Sequence, residues 1–241
     1  MDDRHERTRL LYPERALERL RQSTVLIAGL GGVGSWAVEA LSRSGVGTLI
    51  LLDYDRITAS NINRQLFALE STLGRFKCEV AEERIHDIDP EIRVITLNER
   101  LDKGEADRLF DKLGSIDYVV DAIDHLDGKI DLLLEATRRH IPVISSMGMG
   151  NRRDPSQLSI ACLSKTHTDP FARIIRQRLR KESVEQLKVV FSKEAPTVPQ
   201  NPGVIGSTPV VPPVAGFLLA SEVIRDLTLA EPLSSANEPD A

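Results

Sequence analysis

Apolar residues along this 241-residue chain fall into short continuous runs separated by stretches of helical period. The runs predict strands near 24–28, 48–52, 92–97, 117–121 and 141–146. Between them, apolar positions recurring every three or four residues predict helices near 33–44, 73–88, 104–113 and 127–139, with another at 13–22 ahead of the first strand. Strands alternating with helices imply crossover connections, and so an α/β fold of Rossmann-like, doubly wound type with a mainly parallel sheet. Gly45 and Gly47 bracket the turn after the first crossover helix, and Asp89-Pro90 stops the helix that contains Lys77.

Past residue 146 the rhythm changes into a C-terminal extension of strands and helices. Gly148, Gly150, Asp154 and Pro155 read as a loop, and 157–163 as a strand. Asp169-Pro170 predicts a helix start, with aspartate as the cap and proline in the first turn, and the helix runs to Lys181. A strand at 187–192 follows, then proline-rich irregular backbone over 195–213 and a closing apolar helix over 214–228. No internal repeat or low-complexity linker interrupts the chain. One domain is therefore expected over 1–230, made of the N-terminal helix, a core at 24–146 and the part 147–230; a polar tail, 231–241, reads as disordered.

Composition narrows the class. Hydrophobic residues at 41% and charged residues at 28% describe an ordinary soluble globule. Cys78 and Cys162 form no C-x-x-C pair, which excludes a disulfide framework and a four-cysteine zinc site. The opening MDDRHERTR is too charged for a signal leader. The longest apolar stretch, Val210 to Ala220, is broken by Pro212 and Pro213 and falls short of the roughly 20 residues a membrane helix takes. No membrane span and a cytoplasmic location are the expectations. The net charge of −5 argues against an indiscriminate nucleic-acid binder, but residues 151–193 alone carry ten Lys/Arg against four acids. Arg152, Arg173, Arg176 and Arg180 belong to that segment and are the candidates for contact with nucleic-acid phosphates. A solvated helix surface is the plainer account.

Candidate chemistry concentrates in 24–65. The first strand runs into Gly29, Gly31, Gly32 and Gly34, a glycine-rich turn that lets phosphate approach backbone N–H groups at a helix's positive end. Asp53 ends the second strand, about where a ribose-binding acid falls, roughly 20 residues on. That pattern alone suits NAD or FAD. The cluster Asn61, Asn63, Arg64 and Gln65, with Asp55 just before it, departs from a dinucleotide site, because Arg64 and Lys77 offer cationic charge that the β- and γ-phosphates of ATP require. Asp124 follows the strand YVVDAID at the edge where doubly wound sheets place ligands, and is a reasonable Mg²⁺ carboxylate. Each residue has a plainer role open to it: Asp53 a turn acid, Lys77 a surface lysine, Asp121 or Asp124 a helix cap.

G-L-G-G-V-G-S (29–35), L-D-Y-D (52–55), S-N-I-N-R-Q (60–65), G-R-F-K (74–77) and D-A-I-D (121–124) together resemble the ubiquitin-activating-enzyme superfamily, whose bacterial members include adenylyltransferases that activate sulfur-carrier proteins. E-A-L-S-R-S-G-V-G (39–47), K-T-H-T-D-P (165–170) and G-S-T-P-V-V-P-P-V-A-G (206–216) are similar to its tRNA threonylcarbamoyladenosine dehydratase branch. The resemblance implies ATP-dependent activation of a carboxylate on tRNA, through an acyl-adenylate in the simplest route, followed by ring closure. It gives the glycines to the nucleotide, Asp53 to ribose, and Asn61, Arg64 and Lys77 to the triphosphate. Asp124 falls to Mg²⁺ or the α-phosphate. Arg7, in R-H-E-R-T-R (4–9), falls where relatives donate an arginine to the partner subunit's ATP, which implies a homodimer; Arg4 and Arg9 are alternatives for that place.

Departures from the pattern matter too. The zinc cysteines common in sulfur-carrier enzymes are missing, Cys162 in SIACL reads as buried packing, and Cys78 reads as core or as a partly exposed thiol. The five histidines show no ligand spacing. Two rivals stand: adenylation of the C-terminal glycine of a sulfur-carrier or ubiquitin-like protein, with a sulfur-transfer protein as partner, and a non-catalytic nucleotide-binding scaffold or NAD enzyme.

Overall fold

The computed structural model describes residues 4–197 and 205–229. Seven strands, β1 (Thr24–Ala28), β2 (Thr48–Leu52), β3 (Arg93–Leu97), β4 (Tyr118–Asp121), β5 (Val143–Ser146), β6 (Leu158–Cys162) and β7 (Lys188–Ser192), form one sheet in the order β3-β2-β1-β4-β5-β7-β6. Every pairing is parallel except β6 with β7. Val25, Leu26, Ile27, Val119 and Val120 have no exposed surface, because helices cover both faces of the central strands. That is why these strands are apolar throughout instead of alternating.

The helices are α1 (Glu6–Arg9), α2 (Glu14–Gln22), α3 (Gly34–Arg43), α4 (Lys77–Ile88), α5 (Ala106–Leu113), α6 (Leu126–Arg138), α7 (Pro170–Lys181) and α8 (Val211–Leu229). One face of the sheet packs on α2, α3, α4 and α8 through Leu20, Leu41, Cys78 and Leu219. The other packs on α5 and α6 through Phe110 and Leu132, and α7 joins through Ile175 and Leu179. From β1 the chain steps outward through β2 to β3, then returns to β4 and proceeds the other way. The C-terminal ends of β1 and β4 therefore flank a crevice at the topological switch point.

Where element boundaries differ from the sequence expectation they do so by one to four residues, and three of the shifts have a clear backbone cause. Helix α4 starts at Lys77 and not at 73, because Gly74 has a φ of +81° and Phe76 is extended, bridging Arg56. Helix α8 starts at Val211 and not at 214. Pro212 and Pro213 fall in its first turn, where an amide hydrogen has no intrahelical acceptor. Strand β5 opens at Val143, after Pro142, which has no N–H to give to a ladder. The short helix α1 was not foreseen. The expected tail 231–241 lies outside the described residues, among which no helix is long and apolar enough to cross a membrane.

Candidate active site

The crevice opens into a cleft of about 600 Å³, whose lining runs from Gly29, Gly31 and Gly32 past Asp53, Asp55, Asn61, Arg64, Gln65 and Lys77 to Ala122, Asp124 and Ser146–Arg152. Its first wall is the turn between β1 and α3. Gly29 sits at φ +89°, and a Cβ there would lie 2.6 Å from the Ala122 carbonyl oxygen. A Cβ on Gly34 would lie 1.7 Å from the Gly29 carbonyl oxygen, so Gly34 serves the turn's packing and does not line the cleft. Gly31 is open toward the cleft, its nearest neighbour being the Gln65 side chain at 3.9 Å from such a Cβ. The turn thereby aims the N-terminal end of α3 at the cleft.

At the end of β2, Asp53 is 7% exposed and accepts the Leu30 N–H at 2.6 Å and the Asp55 N–H at 2.8 Å. Lys77 reaches back from the first turn of α4, its Nζ 3.4 Å from Asp53 Oδ2 and 2.7 Å from Asp55 Oδ2. Burial raises the Asp53 pKa above the ordinary carboxylate value, and the Lys77 charge opposes that rise. Lys77 is only 4% exposed, which removes the plainer role of a surface lysine. Arg64 donates from Nη1 to the Ser60 carbonyl at 2.9 Å and to Asn63 Oδ1 at 2.8 Å, and its own carbonyl accepts from the Trp36 indole at 3.0 Å. Asn63 stands behind Arg64, bonded to the Ser207 carbonyl at 3.1 Å, and does not line the cleft.

On the β4 side Asp124 projects a fully exposed carboxylate into the cleft, 3.9 Å from His125 Nδ1. Below it lies a cluster the sequence reading passed over. Asp121, with no exposed surface, accepts from Lys129 Nζ at 2.7 Å and from Ser145 Oγ at 2.6 Å. The far wall combines Met147, Met149, Phe171 and Ile205 with the polar Ser146 and Asp169. Lysine at 129 was legible in principle, because it falls on the buried stripe of α6 with Leu132, Leu133 and Ala136.

Among the described residues, no group of three or more His, Cys, Asp or Glu is arranged to hold a metal by itself. A fully exposed carboxylate in this cleft nevertheless suits Mg²⁺, which keeps several waters and takes one or two carboxylates together with substrate phosphates.

Several expectations need correction. Arg152 cannot meet tRNA phosphates: it is 3% exposed, bonded to the Gly148 carbonyl and 3.5 Å from Asp169 Oδ2. Arg176 is half-buried and donates to Thr166 Oγ1 at 2.5 Å. Arg173 and Arg180 are exposed on α7. Cys162 is not buried packing: its thiol lies 3.2 Å from the Glu185 carbonyl, and although burial raises its pKa, hydrogen bonds from Ser164 and the Leu187 backbone together with the Lys165 charge bring it below the ordinary thiol value. Cys78 belongs to the core, with burial pushing its pKa up to about 12. Arg7 is exposed on α1 and absent from the lining of its own chain's cleft.

Comparison with known proteins agrees with this geometry. Residues 4–239 match the model of the ThiF family. The tRNA threonylcarbamoyladenosine dehydratase of Bacillus subtilis (strain 168) is 42% identical over 238 residues, covering 92% of this chain and 93% of that protein. The Escherichia coli (strain K12) protein of the same name is 38% identical over 82% of this chain and 76% of its own length. The crystal structure of E. coli tRNA N6-threonylcarbamoyladenosine dehydratase in complex with ATP superposes with a TM-score of 0.87 at 34% identity, covering 93% of each chain. The chain belongs to the ThiF family, in its tRNA threonylcarbamoyladenosine dehydratase branch.

Proposed function

We propose that this protein is a cytoplasmic, Mg-ATP-dependent enzyme that cyclises threonylcarbamoyladenosine in tRNA. The observation that carries the reading is the joining, in one cleft, of a glycine turn with paired cations on one side and the exposed Asp124 with an apolar wall on the other. The nucleotide half holds the ribose against Asp53 and the triphosphate against Asn61, Arg64 and Lys77. Asp55, half-exposed, can return to water when Lys77 turns to phosphate. Asp124 holds Mg²⁺, which when bound neutralises charge on the phosphates. The apolar wall receives the acyl group and keeps water from the activated carboxyl.

In the reaction so read, a carboxylate oxygen of the modification attacks the α-phosphorus and pyrophosphate leaves. A nucleophile of the same modification then closes on the acyl carbon and AMP leaves. The net change in the nucleoside is loss of one water. Cys78 is too buried for thioester chemistry, so a thiol relay has no support from that residue.

The same reading makes residues 1–230 one adenylation domain and the protein a homodimer. Arg7, standing off its own chain's cleft, is then available to the partner's ATP. The tRNA surface falls to the exposed Arg173, Arg180 and Lys181, with Arg152 and Arg176 engaged within the chain. Charge reversal of the three exposed residues should weaken tRNA binding and flatten its salt dependence, with ATP affinity unchanged.

The deciding experiment incubates the protein with Mg-ATP and threonylcarbamoyl-modified tRNA and weighs the released nucleosides. A product lighter by one water is expected. An unchanged nucleoside, with pyrophosphate exchange stimulated by a carrier protein, would move the activity to the C-terminal glycine of such a protein.

A further inference from the structure

Lys129 is an unusual place for a charge. It has no exposed surface, sits mid-stripe on α6, and belongs to none of the groups assigned to nucleotide. An ammonium is buried at such a point only when paired and hydrogen-bonded. Here it has two oxygen partners: Asp121 Oδ2 at 2.7 Å and the Ile123 carbonyl oxygen at 2.9 Å. The Phe171 ring, centred 5.7 Å from Nζ, closes the third side. Asp121 in turn accepts the Ile123 N–H through Oδ1 at 3.1 Å. The peptide units on both sides of Ile123 are thus gripped, the amide by Asp121 and the carbonyl by Lys129. The carbonyl in question belongs to the peptide group that leads into Asp124.

The rest of the loop is held as firmly. The Ala122 N–H donates to the Ala28 carbonyl at 2.8 Å, and His125 Nε2 donates to the Leu101 carbonyl at 2.9 Å. Between these anchors the Asp124 side chain stands fully exposed. A fully exposed carboxylate whose nearby polar neighbour, His125 Nδ1, is 3.9 Å away owes its position chiefly to the backbone beneath. Neutralising Asp121 alone would not require a bond from the lysine to Ile123, and an apolar pair would fill the same volume.

We propose that Lys129 is a positioning residue for Asp124: through Asp121 and the Ile123 carbonyl it locks the loop that presents the metal-binding carboxylate to the cleft. This rests on the reading of Asp124 as the Mg²⁺ carboxylate. The competing view is that Lys129 serves only to balance the buried Asp121 charge.

Lys129→Met alone would strand Asp121 and report on folding. The informative variant is therefore Asp121→Asn with Lys129→Met, which removes both buried charges and also the bond to Ile123. Hydrogen exchange on the apo protein, without Mg²⁺ or nucleotide, should show amides 122–125 exchanging about tenfold faster in this variant, the rest of the sheet unaltered. Half-saturating Mg²⁺ should rise about tenfold and turnover fall about a hundredfold, the scale of a small misplacement at a reacting centre. Affinity for ATP without Mg²⁺ should stay within about twofold.

A folded double variant with a protected loop and normal Mg²⁺ dependence overturns the proposal. In the wild-type protein, which needs no substitution to fold, the Ile123 amide must exchange slowly; exchange at an unprotected rate overturns it equally. Asp124→Asn separates the two levels. It should raise the Mg²⁺ requirement with loop exchange unchanged. If it leaves Mg²⁺ dependence untouched, the metal role of Asp124 fails and the positioning role falls with it. A failure confined to the double variant removes Lys129 alone.

Discussion

Replacing Lys77 with alanine should damage this protein twice, in stability and in chemistry. The stability loss comes from Asp53. That carboxylate is 7% exposed and has Lys77 as its cationic partner at 3.4 Å, while the stronger-looking contact at 2.7 Å goes to Asp55, which is half in water. The Asp55 contact therefore adds little to stability. Breaking a buried pair by removing one partner typically destabilises by about 3–5 kcal/mol. Asp53 retains two backbone N–H donors, Leu30 and Asp55, so the lower end, about 3 kcal/mol, is expected.

The sign of its pH dependence follows from the Asp53 pKa. Burial already holds that pKa above the ordinary value, and loss of the Lys77 charge raises it further. A raised folded-state pKa means that the folded protein binds the proton more tightly than the unfolded chain. Ionised Asp53 therefore penalises folding above that pKa, and the penalty disappears as pH falls through it. Urea unfolding followed by circular dichroism should accordingly show a large deficit for Lys77→Ala at pH 7 that narrows toward pH 4. Pyrophosphate release, measured well below the melting temperature, should fall by roughly 10²–10³ through loss of a charge-stabilising contact. Lys77→Met, which keeps most of the volume, separates cavity from charge. If Lys77→Met unfolds like the wild-type protein at pH 7, or the deficit of Lys77→Ala does not vary with pH, the buried-pair argument is wrong.

Arg64→Ala should share the turnover loss of Lys77→Ala, roughly 10²–10³, but keep stability within about 0.5 kcal/mol of wild type, since Arg64 is partly exposed. Paired measurements of pyrophosphate release and urea midpoint check it. Thiol titration of the native protein should find one readily reactive cysteine, lost in Cys162→Ser, because Cys78 is held at about 12 by burial while the Cys162 pKa is lowered; rapid reaction of Cys78 in the folded state would contradict this. Glu135, whose pKa hydrogen bonding to Arg138 and then Arg139 holds at about 2, stabilises the fold above its unfolded-state pKa. That contribution is lost as pH falls toward 2, so Glu135→Gln should flatten the acid limb of a melting-temperature profile.

The fold was legible because its central strands are buried on both faces and therefore read as continuous apolar runs, with β1 and β2 matching expectation to the residue. Helix starts were harder where backbone geometry, not periodicity, decides. Gly74 at positive φ delays α4, and a proline pair that looked like a breaker turned out to open α8. In the site, the glycine turn, Asp53, Arg64 and Asp124 stand out from local sequence, whereas the partner of a cation does not. Lys77 is buried by acids 22 and 24 positions away, and Arg152 by an aspartate that also caps α7. Runs of basic residues in sequence say nothing of which guanidinium faces inward. Arg152 and Arg173 looked alike in composition and differ completely in exposure.

Three buried cations share one arrangement around the cleft: Lys77 with Asp53, Lys129 with Asp121, and Arg152 with Asp169. Two of the carboxylates sit at or just past the end of a strand, and the third holds the Gly148 N–H just past β5 at 3.0 Å. Burying any of these cations alone would be prohibitive, so each comes with its counter-charge built in. The pairs differ in how easily they can be opened. Lys129 and Arg152 are both held by backbone carbonyls as well as by their acids; Lys129 is fully enclosed, whereas Arg152 lines the cleft and its Nη2 makes no hydrogen bond. Lys77 has carboxylates as its partners, one of them half-exposed and readily rehydrated. An incoming polyanion competes with Asp55 for that ammonium on favourable terms and has no such opening at Lys129, which does not line the cleft. The three cations therefore differ in what they can do. On the proposed reading Lys77 can turn its ammonium from Asp55 to a phosphate, while Lys129 stays with the loop beneath Asp124.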